Sequence, residues 1–463
     1  MHIRTKYLLF FIVIFLTRLP FVFHGFGLDG DSWAVALASQ HWHQTGDYEA
    51  SRFPGNPVHE LLCSMLSGCG DMSLILLTVF FTSVASLFFV MALVELRFRT
   101  PFLAGLALAF VPVIYINSAI VIDYNISLAF IMMAFYFAAV DRSILTGVCL
   151  GLAIGCRITS GAMLIPFGLM LLRPNEFQRN LMRIFFAFTF ALLVGAIAYF
   201  PSFVKYGWSF LSYYEVQYPS LIKVLYRFFI ETWGLVGCFA LAVGIILLFL
   251  PERFTKAGYL FPRSVNIKHV IAWLLAIDLY IIAFIKLPME AGYMIPAIPF
   301  VILVFGKYLV RPAFILFCCL LIAAPFFFGI SPANRIDSST PSLLSYNINA
   351  GNETLTLDIL KGPLLTNESR EENSSKYVRR LLDQFKNIRY PVCLIAGQWY
   401  NHLVYLNGDT VSSKVLIAPH VDKRFLLDQL SKGRKLFYLT RQNEFNLQLK
   451  GADPRLFGAS EYK

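Results

Sequence analysis

Apolar residues in this chain come in runs of about 17 to 25, the length that carries a helix across a hydrocarbon core of ~30 Å. No other feature narrows the fold as far. Inside lipid each segment must satisfy its own backbone N–H and C=O groups, and a helix does so. The first run starts at Tyr7; others recur near 72–94, 101–118, 124–140, 143–156, 159–172, 183–203, 229–250, 270–286, 291–310 and 312–330. Together they predict an all-α polytopic membrane protein of about eleven transmembrane helices. Composition agrees: 57% of the residues are hydrophobic and 14% charged, against roughly 45–50% and about 25% in soluble domains. Arg4 and Lys6 before the first run resemble the start of a signal peptide, but Arg18 interrupts it and no small-residue cleavage site follows. The run therefore reads as an uncleaved first span.

The net charge of +11 belongs to topology rather than to a nucleic-acid partner, because many Lys and Arg fall in the short connections between runs. With the N-terminus cytoplasmic, the inside connections are 95–100, Asp141-Arg142, 173–183, 251–269 and Arg311, mostly basic as the positive-inside rule asks. Fusing 143–172 into one span would put the basic 251–269 loop outside, so two spans flanking Arg157 are expected. The outside segments are then 28–71, 119–123, Arg157, 204–228, 287–290 and the whole tail from Ser331. The membrane is expected to be a bacterial inner or plasma membrane rather than that of the endoplasmic reticulum.

Beyond a transmembrane domain of residues 1–330, Ser, Asn, Thr and Glu dominate 331–375, which reads as a polar linker. Residues 376–463 then read as a small C-terminal α/β domain outside the cytoplasm. Its signals are a helix-like 376–387, a strand-like 392–396, a helical 422–432 and a strand-like 435–440. Eight cysteines are scattered without zinc-site spacing. Cys63 and Cys69 share the first outside loop, as a pair or as two free thiols. The Gly147, Gly151, Gly155 series lies in an apolar run and reads as close helix packing; no Walker loop or dinucleotide fingerprint is present.

The first outside loop holds Asp29-Gly30-Asp31-Ser32-Trp33, an amphipathic stretch to Thr45, Gly46-Asp47-Tyr48 and Arg52-Phe53-Pro54-Gly55-Asn56-Pro57. A carboxylate directly after a span can take a proton from an acceptor hydroxyl while a lipid-linked substrate stays in the bilayer. Asp123 is the lone charge between two apolar runs and Glu290 lies at another outer helix end; ionisable residues so placed tend to be functional, because their desolvation is costly. Arg52, Arg157 and Lys286 are the cations of the same side, and an Arg fork suits a phosphate bidentately. Asp29 and Asp31 could instead chelate a divalent cation. His41, His43 and His59 lack a matched ligand pattern and read as interfacial or packing residues. Tyr206, Trp208, Phe210, Tyr213, Tyr214, Tyr218 and Tyr226 crowd one outside loop, as an aromatic belt or a surface for a sugar ring.

Taken in order, these residues resemble the multispan GT-C glycosyltransferases, especially the relatives of lipid A aminoarabinose transferase and protein O-mannosyltransferase. The resemblance covers residues 1 to about 312. It rests on Asp31 followed by Gly46-Asp47-Tyr48, on the run from Arg52 to Pro57, on Asp123, on the glycine-rich 147–166 segment with Arg157, and on Glu290-Ala-Gly-Tyr293-Met-Ile-Pro296-Ala-Ile-Pro299. That last stretch is similar to the family's Arg-Tyr-x-x-Pro-x-x-Pro, with Gly292 where Arg is often found. The resemblance implies an inverting transfer from a polyprenyl-phosphate sugar to a lipid, glycan or protein acceptor in cell-envelope glycosylation. Asp31 would be the base, Asp29, Asp123 and Glu290 acidic support or metal ligands, Arg52, Arg157 and Lys286 the phosphate contacts, and Trp33 and Tyr293 contacts to sugar or acceptor. No cofactor other than a divalent metal ion is implied. The alternatives are a transporter or lipid flippase, which would place carboxylates near the bilayer midplane and often show repeat symmetry, and a membrane scaffold for the tail.

Overall fold

The computed structural model describes residues 3–173, 176–212, 218–249, 260–261, 265–333, 335, 337–350, 353–408, 413–419, 423–439, 453–456 and 459–462. Among them, five helical segments are long and apolar enough to cross a membrane: Asp71–Glu95, Phe177–Leu211, Leu221–Leu248, Ile267–Lys286 and Ala291–Tyr308. Five shorter apolar helices, Pro101–Phe110, Asp123–Ala139, Ser143–Cys156, Ile158–Leu171 and Arg311–Ala323, pack among them. The first helix runs from Ile3 to Arg18.

Two breaks explain why several apolar runs are short as helices. Pro112 restarts a helix because the residue before a proline is pushed out of the helical region, and Val111 is extended there. Arg157 is likewise extended between the Ser143–Cys156 helix and the 3₁₀ turn Ile158–Met163, so its side chain points off the end of both runs. The glycine series of Ser143–Cys156 lies against the Phe177–Tyr206 helix: a Cβ on Gly151 would meet Val194 at 2.5 Å, and one on Gly155 would meet Ala198 at 2.7 Å. Small residues let two backbones approach in lipid, where packing rather than hydrophobicity drives association. Arg18, which interrupts the first run, is fully buried; its guanidinium lies 4.2 Å from the Tyr115 ring centre and donates to Thr17 Oγ1 at 2.7 Å.

Outside the spans, the first loop folds into two helices, Gly30–Thr45 and Pro57–Leu66. Gly46 closes the first in the left-handed region at φ 72°, where a side chain would be strained. Cys63 and Cys69 in this loop are free thiols. The expected linker is not a loop. Gly329–Pro332, Ser345–Ala350 and Glu353–Asp358 form an antiparallel sheet with the last strand central, and the helix expected over 376–387 starts at Pro363 and runs to Lys386. Polar composition hid a period-two pattern, Thr354-Leu355-Thr356-Leu357, and a helix face of Leu364, Val378, Leu381, Leu382 and Phe385. Beyond it, five short strands form a mixed sheet in the order Val415–Ala418, Val392–Ile395, Lys435–Leu439, Ala459–Tyr462, Asp453–Leu456. The first three are parallel and the remaining pairings antiparallel.

Candidate active site

The site forms where the first loop meets the ends of several spans. Asp29 caps the Gly30–Thr45 helix by accepting from the Asp31 backbone N–H at 3.1 Å, which leaves Asp31 in the first turn, where a negative charge is favoured. Asp123 opens the Asp123–Ala139 helix and is completely buried. A carboxylate there needs a partner, and it has two: Arg157 Nη1 at 2.6 Å and Arg52 Nη2 at 3.3 Å. The same Arg52 pairs through Nη1 with Asp31 and lies 3.9 Å from Glu290. One guanidinium therefore ties together three carboxylates from distant parts of the chain. Arg157 lies over Tyr124 at 3.9 Å and Tyr293 at 4.9 Å, a cation–π arrangement, while the Tyr124 hydroxyl donates to Glu290.

A further carboxylate, not singled out in the sequence, anchors the loop that carries Arg52. Glu60 is fully buried in the Pro57–Leu66 helix. It accepts from the Tyr48 hydroxyl at 2.7 Å, Ser51 N–H at 2.8 Å, Ser51 Oγ at 2.6 Å and the Asn56 N–H at 3.2 Å. All four donors belong to the loop that carries Arg52. The signal was present, since a Glu three residues after Pro57 and close to several polar residues must find donors once buried, but the donors are named only by the fold. His59 next to it is also buried, and loss of water pushes it down to about 4. His41 instead faces Asp47 and Glu49 at 4.0 and 3.8 Å, so the three histidines do not converge.

Two cavities adjoin this cluster. The smaller, about 200 Å³, is lined by Asp31, Arg52, Arg157, Glu290 and Tyr293 among others. The larger, about 390 Å³, reaches from Asp29 and Glu290 past Tyr226, Arg227 and Glu231 to Asn367, Arg370 and Glu371 of the tail helix. Arg227 was also missed, since Lys223 and Glu231 stand one helical turn to either side and give it the look of an ordinary helix-surface charge; it donates to Pro288 O at 2.6 Å. Asp29 is half-buried, and removal from water, then the charge of Glu290, pushes its carboxyl up to about 8.

Asp29, Asp31, Asp123, Glu290, Arg52, Arg157 and Tyr293 are thus brought together. Lys286 and Trp33 are not. Lys286 is exposed in the last turn of its helix and lines neither cavity. Trp33 stands two residues after Asp31 on a helix, about 200° around its axis, so it faces away. It is 3% exposed and lies against His402 of the tail with ring centres 4.7 Å apart and the rings tilted by 33°. Of the outer aromatics, Tyr226 lines the larger cavity and Trp208 and Tyr218 are exposed; Tyr213 and Tyr214 lie outside the described residues. Asp29, Asp31 and Glu290 each offer an oxygen within 4.8 Å of one another, a hard donor set that fits a divalent cation. Arg52 already pairs with Asp31 and approaches Glu290, so a metal there would have to displace that guanidinium. Gly292, where the family often has Arg, admits no side chain: a Cβ would lie 2.5 Å from the Tyr124 ring.

No family model matches this sequence, and no curated protein does. Among solved structures, the crystal structure of ArnT from Cupriavidus metallidurans bound to undecaprenyl phosphate is similar with a TM-score of 0.57 at 10% identity, over 99% of this chain and 97% of that one. The same protein in its apo state gives 0.53 at 10% identity, over 99% and 98%. Both likenesses run through the spans and the tail alike, and the chain shares the fold of that protein.

Proposed function

We propose that this chain is an inverting glycosyltransferase at the extracytoplasmic membrane face, moving a sugar from a polyprenyl-phosphate donor to an acceptor hydroxyl. In this reading all eleven apolar runs cross the membrane, and the outer domain, expected over 376–463, also takes in the helix from Pro363 and the sheet of 329–358. The observation that carries it is the arginine bridge: Arg52 joins Asp31 to buried Asp123, Arg157 pairs with the same Asp123, and cavities open on both sides. A scaffold would have no use for so costly a buried charge cluster. The likeness to a structure whose bound ligand is undecaprenyl phosphate supports a polyprenyl-phosphate partner.

The donor phosphate lies in the smaller cavity, where Arg52 and Arg157 offer N–H groups to it. Engaging Arg52 loosens its hold on Asp31 and frees that carboxylate. Asp31 then takes the proton of the acceptor hydroxyl as its oxygen bonds to the anomeric carbon. The bond from that carbon to the phosphate oxygen breaks with its electron pair, and the polyprenyl phosphate leaves against the arginines. Asp123 keeps both guanidiniums aimed; Tyr293 borders the sugar. A divalent cation at Asp29, Asp31 and Glu290 would supply further neutralisation of the leaving phosphate.

The test is transfer from a polyprenyl-phosphate sugar by Asp31→Asn and Asp123→Asn, with undecaprenyl phosphate binding measured in parallel. Asp31→Asn should lower kcat by roughly 10²–10⁴ with donor-lipid binding retained, and Asp123→Asn should weaken both. Full activity in both variants removes the proposed chemistry.

A further inference from the structure

The larger cavity is not needed to hold a phosphate, and its lining says what it is suited to hold. It touches the reaction centre at Asp29 and Glu290, while Asp31, one glycine further on, lines the smaller cavity. A molecule in the larger cavity therefore adjoins the Asp29–Asp31 turn at Asp29 and Glu290, away from Arg52 and Arg157, which line only the smaller one. At about 390 Å³ it falls within the ~300–1,000 Å³ of small-molecule sites.

The charge of its wall differs from that of its neighbour. Arg52 and Arg157 face Asp31 and Glu290 in the smaller cavity, whereas in the larger one Arg227 and Arg370 face Asp29, Glu231, Glu290 and Glu371. Both larger-cavity arginines are engaged. Arg370 pairs with Asp337, and Arg227 donates to Pro288 O and lies 3.9 Å from Glu231. An entering phosphate would meet Glu231 and Glu290 while both arginines already hold partners of their own, an arrangement that disfavours an anion. What remains is a surface of neutral partners. Asn367 donates to Glu371 at 2.7 Å, Asn117 lines the same cavity, and burial pushes the Glu371 carboxyl up to about 8, which favours its O–H form.

We propose that the larger cavity is the acceptor pocket, and that it takes an uncharged, hydroxyl-rich sugar and rejects one whose reacting end bears a phosphate, with the tail helix Pro363–Lys386 supplying the selecting wall. This rests on the transferase reading above.

The experiment uses the full chain in phosphatidylcholine nanodiscs. Binding of a dihexosyl diacylglycerol, of its terminal phosphate monoester and of the two corresponding free disaccharides is titrated by native mass spectrometry, with undecaprenyl phosphate as a separate probe. The neutral form should bind about tenfold or more tightly than its phosphorylated partner. Binding of the glycolipid alone would identify a lipid-linked acceptor, and binding of both neutral probes a free or polymeric glycan; either supports the proposal. Glu371→Gln should keep the preference, and Glu371→Lys, alone or with Glu231→Lys, should reduce or invert it while undecaprenyl phosphate still binds, which shows that the variants are folded. Equal or tighter binding of the phosphorylated probes overturns the proposal, as does no binding of any sugar probe by a protein that binds undecaprenyl phosphate. Loss of undecaprenyl phosphate binding by the unaltered protein overturns the transferase reading itself.

Discussion

Asp29 and Asp31 are separated by one glycine and line different cavities. In the unfolded chain Asp29 ionises in the ordinary carboxylate range; in the fold, burial and then Glu290 keep its proton on up to about 8. The folded state therefore binds more protons across that window, and stability falls as the pH rises through it. Between about pH 5 and about pH 8 the thermal unfolding midpoint of Asp29→Asn in detergent should fall less, or rise more, than that of the unaltered protein. An identical pH dependence in the variant would exclude a contribution from Asp29. The identities of these residues could be read from the sequence, because a carboxylate beside an apolar run is conspicuous. What could not be read is that Trp33 faces away from Asp31, or that Tyr124 fills the space where Gly292 replaces an arginine.

At the scale of elements, the tail helix Tyr400–Asn407 docks on the Gly30–Thr45 helix that presents Asp31. Asn401 Nδ2 donates to the Gly30 carbonyl at 2.9 Å, and Tyr405 donates to Asp71 at 2.6 Å. His402 and Tyr405 enclose Trp33 with ring centres 4.7 and 5.7 Å away, and burial pushes His402 down to about 4, so it packs as a neutral ring. The tail thus holds the turn between the two carboxylates. Asn401→Ala removes a hydrogen bond worth about 1 kcal/mol, and kcat should fall about fivefold with KM for the donor nearly unchanged. A rise in KM alone would make Asn401 a binding residue instead. Helix existence followed from apolar run length, since lipid leaves the backbone no other partner. The sheet of 329–358 did not, because its strands are polar and short.

For the whole molecule, the sidedness of the site is the claim with the widest consequences. A reporter fused after Lys463 should be active only outside the cytoplasm, since the basic connections between spans are held inside; cytoplasmic activity would place the site on the wrong face for a polyprenyl-linked donor at the outer surface. The sequence by itself determined that the chain lives in a membrane, where most of its apolar helices lie, and which charged residues sit at span ends, because hydrophobic length and desolvation cost act locally. Only the tertiary structure decided that Arg52, far from Asp123 in the chain, bridges it to Asp31, that Lys286 stays outside the cluster, and that a tail helix walls the second cavity. Those are meetings of side chains from separate helices, fixed by how the helices pack, and no local pattern encodes them.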